Sequence, residues 1–363
     1  MYRMKKGSAG ATLVALGLSA FVIACGDKAH LTGNLIASTN VFSQTNLVSD
    51  VNAFGATTVD ANLVNPWGLA FGANNALWVA NNGTGTSTLY DANGTKLALS
   101  VTIPPAGTPA GLLHGSPTGI VLNTTSDFTI PGSSAASFIF AGEDGSISAW
   151  NASLGSSAQL VADRSSVSAV YKGLAMAAVG SANRLYATDF HNNRVDVFDG
   201  SFALVGSFTD STMSSGYAPF GIANIGGQLF VTFAKQQGPA NVDDTAAVGN
   251  GFVDVFNSDG TLARRFASNG RLNSPWGLAQ APANFGPFGG AILVGNFGDG
   301  TIGAYDATSG TFLDVLRDAG GNPVTISGLW ALEFGPSTFS NLLYFSSGPS
   351  DETHGLVGRL SNP

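Results

Sequence analysis

The sequence predicts an all-β chain folded as a six-bladed β-propeller of four-stranded antiparallel blades. Three observations carry that prediction. A short phrase centred on glycine occurs six times, strand-length apolar runs follow each copy in one fixed order, and no long amphipathic helix interrupts them. A repeat of roughly 50 residues built from short strands and turns marks a propeller or a solenoid.

The phrase reads Asn65-Pro66-Trp67-Gly68-Leu69, Ser116-Pro117-Thr118-Gly119-Ile120, Tyr171-Lys172-Gly173-Leu174, Ala218-Pro219-Phe220-Gly221-Ile222, Ser274-Pro275-Trp276-Gly277-Leu278 and Ile326-Ser327-Gly328-Leu329. Its glycines fall at intervals of 51, 54, 48, 56 and 51 residues. In a propeller this glycine opens the innermost strand, where blades converge and a Cβ collides. Trp67, Phe220 and Trp276 are expected to pack between neighbouring blades.

The second strand of each blade is a mainly apolar run: Ala76 to Val79, Ser137 to Phe140, Arg184 to Ala187, Gln228 to Val231, Ala291 to Val294 and Leu342 to Phe345. The third alternates, as in Ser146-Ile147-Ser148-Ala149-Trp150, Val195-Asp196-Val197-Phe198 and Val253-Asp254-Val255-Phe256. Period-two alternation marks half-buried antiparallel strands. Asp91-Ala92-Asn93-Gly94 and Ser258-Asp259-Gly260 are hairpin turns into the fourth strand. Turns also account for 48 glycines, roughly twice the usual share of about 7%. Blade six has only three strands after Gly328, while Phe42 to Val48 is left over at the start. That segment is expected to close the ring as the outer strand of blade six and remove an exposed edge.

The run Leu185-Tyr186-Ala187-Thr188-Asp189-Phe190-His191-Asn192-Asn193-Arg194-Val195-Asp196-Val197-Phe198 resembles an NHL repeat. Residues 41 to 361 are similar to a family of bacterial secreted propellers related to the NHL, SMP-30/gluconolactonase and virginiamycin B lyase types. The resemblance implies the fold and leaves the chemistry open, because one superfold hosts many functions.

Ahead of the propeller, Arg3, Lys5 and Lys6 precede an apolar stretch from Ala9 to Ile23, too short for a comfortable membrane span. Its end, Val22-Ile23-Ala24-Cys25, resembles the lipobox of bacterial lipoproteins. The resemblance implies cleavage before Cys25, acylation of that residue and anchoring to a membrane leaflet. In a Gram-negative host that leaflet belongs to the outer membrane, because Gly26 rather than aspartate follows the cysteine. Residues 26 to 40 read as a flexible tether. Cys25 is the one cysteine in 363 residues, so the propeller holds together by packing alone. With 15 Lys and Arg against 23 Asp and Glu, the net charge of −8 disfavours nucleic acid and favours cationic or neutral ligands. A monomer is expected.

No nucleophile elbow, zinc-protease helix, P-loop or dinucleotide fingerprint is present. Topology points to a site instead. The loop into the first strand and the loop from second to third strand emerge on one face of every blade. That rule gathers His114, Lys172, Glu143, Asp144, Asp189, His191, Lys235, Asp243, Asp244, Asn296, Asp299, Asp351, Glu352 and His354 on a single surface, with Asn81 and Asn82. Asp189, Glu143, Asp144 and Asn296 also suit the capping of turn amides. His114, Glu143, Asp189 and His191 are candidate ligands of a divalent cation. Lys172, if burial lowers its pKa, is a candidate base. The insert from Lys235 to Asn250 reads as a lid or a loose loop. Two functions follow: a lipid-anchored propeller binding a protein, glycan or small molecule on this face, or a metal-assisted lyase or hydrolase of the virginiamycin B lyase or gluconolactonase type.

Overall fold

The computed structural model describes residues 39–107 and 114–363. They form six antiparallel sheets arranged as a propeller. Blade one runs Pro66–Phe71, Leu77–Asn81, Thr86–Tyr90 and Lys96–Thr102. The innermost strands of blades two to six are Pro117–Leu122, Tyr171–Val179, Tyr217–Ile225, Pro275–Gln280 and Leu329–Phe334. Cys25, the apolar stretch before it and nearly all of the expected tether lie outside the described residues.

The ring closes as the leftover segment requires. Ser43–Ser49 pairs antiparallel with Leu356–Ser361 as the outer strand of blade six. Thr58–Val59 then adds a short parallel strand beyond it, so this sheet has five strands. The last turn of the ring is tied to the same segment, because Asp50 accepts from His354 Nδ1 at 2.7 Å and from the Gly355 amide at 3.0 Å.

Blades are stitched together near the axis by buried hydroxyls. Thr118 donates to the Tyr171 carbonyl at 2.8 Å, Thr188 to that of Phe220 at 2.7 Å, and Ser346 to that of Trp67. The phrase glycine has the steric role the sequence suggests. A Cβ on Gly68 lies 2.6 Å from the Thr118 carbonyl oxygen, and one on Gly277 lies 2.5 Å from that of Trp330.

The third strands are buried on both faces rather than half-buried, because each blade is covered by two neighbours. Their buried carboxylates are paired, while the Ser87 and Ser148 hydroxyls have no partner. Asp196 accepts from Tyr171 at 2.8 Å and Arg194 at 2.7 Å, and Asp254 is bridged by Arg265 to Asp210.

Candidate functional site

In the innermost pair of every blade the register slips at the phrase, between Pro66 and Leu69 in blade one and at the corresponding residues elsewhere. Such a bulge re-aims a side chain. One residue per blade takes the same position just before it: Trp67, Thr118, Lys172, Phe220, Trp276 and Trp330. Trp67 and Trp330 stack with ring centroids 3.5 Å apart, and Trp276 meets them edge-on at 6.0 and 5.8 Å. Phe220 lies 6.0 Å from Trp330. Trp67 and Trp276 belong to blades one and five, which are not neighbours, so these rings meet on the axis and not in the seams between adjacent blades. They plug the central channel.

The pairing also corrects the sixth phrase. Leu329 and Leu332 pair as Pro66 and Leu69 do, which puts Ala331 at the glycine position. Gly328 instead matches Asn65 and Ser274, and the three share a left-handed backbone, with φ of 66°, 47° and 46°.

Lys172 is the charged member of this ring. Its side chain is only 4% exposed, it is ion-paired with Glu143, and its Nζ lies 3.8 Å from Asp243 and 5.1 Å from the centroid of Trp67. Burial acts to lower its pKa, but Glu143, Asp243 and Glu352 outweigh burial and raise it. The ammonium therefore stays charged, which corrects the expectation of a lysine base. Glu143 also accepts from Asn82 at 2.8 Å. Asn65 donates to Glu352 at 2.6 Å and accepts from the Trp330 indole at 3.0 Å. The Trp276 indole donates to the Lys172 carbonyl at 2.9 Å. Above the aromatic plug, one cation is thus surrounded by carboxylates and amides from blades one, two, four and six.

Two irregular segments bring in the outer carboxylates. The insert Lys235 to Asn250 is hydrogen-bonded back on itself, from Gln237 to the Asp243 carbonyl and from Thr245 to that of Lys235, both at 2.7 Å. It carries Asp243 and Asp244 to the mouth. Burial raises the pKa of Asp244 despite the opposing pull of the Ser274 hydroxyl and the Lys172 charge, and its Oδ2 is shielded from solvent. In blade six, Ser350, Asp351 and Glu352 are all left-handed, with φ of 58°, 53° and 62°. Each costs roughly 1–3 kcal/mol. Burial, followed by Glu143 and Asp243, raises the pKa of Glu352, while Asn65 and Lys172 oppose the rise.

The remaining candidates sit elsewhere. Asp189 is fully buried and accepts from the amides of Val170 and Asn192 and from the Asn192 side chain. Asp144 holds the Ala106 amide and Ser146, and Asn296 ties Asn273, Arg271 and Thr301. These three are turn caps. His114 bonds the Gly115 carbonyl beside Gly85. His191 is bonded to the Ala240 carbonyl at the rim, and Lys235 ends its strand exposed. His114, Glu143, Asp189 and His191 are therefore each engaged separately. Among the described residues no three His, Cys, Asp or Glu side chains group to hold a metal ion, so the expected cation-ligand set does not fit this geometry.

No protein-family model matches the chain. It is 34% identical over 318 residues to one uncharacterized protein of Acanthamoeba polyphaga mimivirus, covering 84% of this chain and 76% of that one. It is 35% identical over 326 residues to a second, covering 86% and 84%. The chain belongs to the family of these viral proteins, where the sequence resemblance pointed to bacterial ones. Among solved structures it is similar to a streptogramin B lyase, with a TM-score of 0.52, 11% identity and coverage of 89% and 97%. It is also similar to a gluconolactonase of Xanthomonas campestris, with a TM-score of 0.51, 14% identity and coverage of 83% and 87%. Both likenesses are of fold.

Proposed function

We propose that the chain is a lipid-anchored, extracytoplasmic binding propeller whose axial mouth holds a cationic group of a partner, such as the lysine or arginine side chain of a protein. One observation carries this reading. Lys172 is outnumbered at the mouth by Glu143, Asp243 and Glu352, all close enough to raise its pKa. Left-handed backbone at Ser350, Asp351 and Glu352 supports a functional placement, since strain of this kind gathers at sites where a side chain must be held in position. The rings of the plug are buried, with Trp67 at 2% and Trp330 at 1% exposure, so a ligand meets carboxylates and amides rather than a stacking platform. The lyase or hydrolase alternative loses its base, because Lys172 is held protonated.

The Trp330 indole reports on the mouth through Asn65 and Glu352. Titration with arginine amide, followed by NMR of the indole N–H signals, is expected to shift that of Trp330 saturably in the wild type and not in Glu352→Gln. An unchanged signal, or the same shift in the variant, overturns the reading.

A further inference from the structure

Beneath the aromatic plug the channel remains open as a cavity of about 390 Å³, running to the face opposite the acidic mouth. Its wall is the inner strand of each blade, and the strand pairings align those strands position by position. Two residues after the bulge glycine, five blades present Ala70, Val121, Ala175, Ala223 and Ala279. Blade six presents Glu333. Around it the cavity is lined by groups such as Leu69, Ile120, Leu174, Ile222 and Leu332. Glu333 is the one titratable side chain on that wall among the described residues, and no hydrogen bond or ion pair there engages its carboxylate. Burial alone pushes its pKa up to about 7. A carboxyl in an apolar site without a partner is costly once ionised, and its packing role is met by alanine in four other blades.

We propose that this lower chamber is a second binding site, which takes a small apolar monoamine as its ammonium form, with the ammonium on Glu333 and the hydrocarbon body against the inner strands. Size, lining and charge agree. Ligand pockets of roughly 300–1,000 Å³ combine apolar side chains with a few polar groups; the polar side chains on this wall are Asn224, whose amide donates to the Met176 carbonyl, and Glu333, the anionic one. The site is independent of the acidic mouth, because the plug of Trp67, Trp276 and Trp330 lies between them.

Calorimetric titration at pH 8 with 2-phenylethylammonium, beside its neutral isostere 2-phenylethanol, tests the assignment. The ammonium compound is expected to bind the wild type at least tenfold more tightly than the alcohol. Glu333→Gln is expected to remove that preference while leaving the alcohol unaffected. Ala223→Leu, which fills the chamber from another blade, is expected to weaken both compounds. Absence of binding to the wild type, equal affinity for the two compounds, or undiminished ammonium binding in Glu333→Gln or Ala223→Leu overturns the proposal.

Discussion

Replacing Glu333 with glutamine has a sign and size that follow from the channel wall. Its pKa rises from 4.5 in the unfolded chain to about 7 in the folded one, through burial alone. A raised carboxyl stabilises the fold fully below the unfolded pKa, and that contribution is lost as pH rises through the folded value. At about 1.4 kcal/mol per pH unit, the loss approaches about 3 kcal/mol between pH 4.5 and 8. Water in the open end of the channel makes this an upper bound. Glutamine keeps the shape and does not ionise. Its melting temperature should therefore match the wild type near pH 4.5 and exceed it by roughly 5 °C at pH 8. No other titratable side chain lines the cavity among the described residues, and Tyr344 on the paired strand is held protonated in this range by burial. Calorimetric melting of both proteins at half-unit pH steps makes the comparison. A difference that stays flat across pH 4.5 to 8 refutes the reasoning.

Four further outcomes are expected. Lys172→Met leaves Glu143 and its neighbours without their cation and should cost about 2–4 kcal/mol in urea unfolding at pH 7, a loss that narrows at pH 4 as the carboxylates protonate. Gly277→Ala sets a Cβ against the Trp330 carbonyl and should cost more than about 2 kcal/mol, whereas Gly206→Ala, with nothing within 4 Å, should be neutral by the same assay. Truncation through Asp50 exposes the edge of Leu356–Ser361 and should lower the melting temperature of the whole propeller and promote aggregation on size-exclusion chromatography. Cys25→Ser should abolish incorporation of labelled palmitate and release the chain from the membrane fraction of a bacterial host. Unchanged partition would show that the lipobox match is accidental.

Much of the architecture is legible in the chain because it is repeated. Six phrases fix six blades, and a strand-like segment with no partner at one end meets a three-stranded blade at the other. The same repeats place the loops of one face together, which is why Lys172, Glu143, Asp243 and Glu352 are already candidates from topology. Their chemistry is not legible. Whether a buried lysine is a base or a fixed cation depends on which carboxylates lie within a few ångströms, and these come from three other blades. Asp189, Asp144 and Asn296 look alike as site residues and as turn caps until their amide partners are known. The position before each phrase glycine could have been read as one axial ring, and the Glu333 position as an odd member among alanines. Both readings needed the correct register in blade six, where Gly328 stands three residues ahead of the true glycine position. Sequence by itself therefore determined the count, order and closure of the blades, because local pattern and period encode them. Tertiary structure decided what fills the axis and which charges are paired, because those depend on distances between residues far apart in the chain.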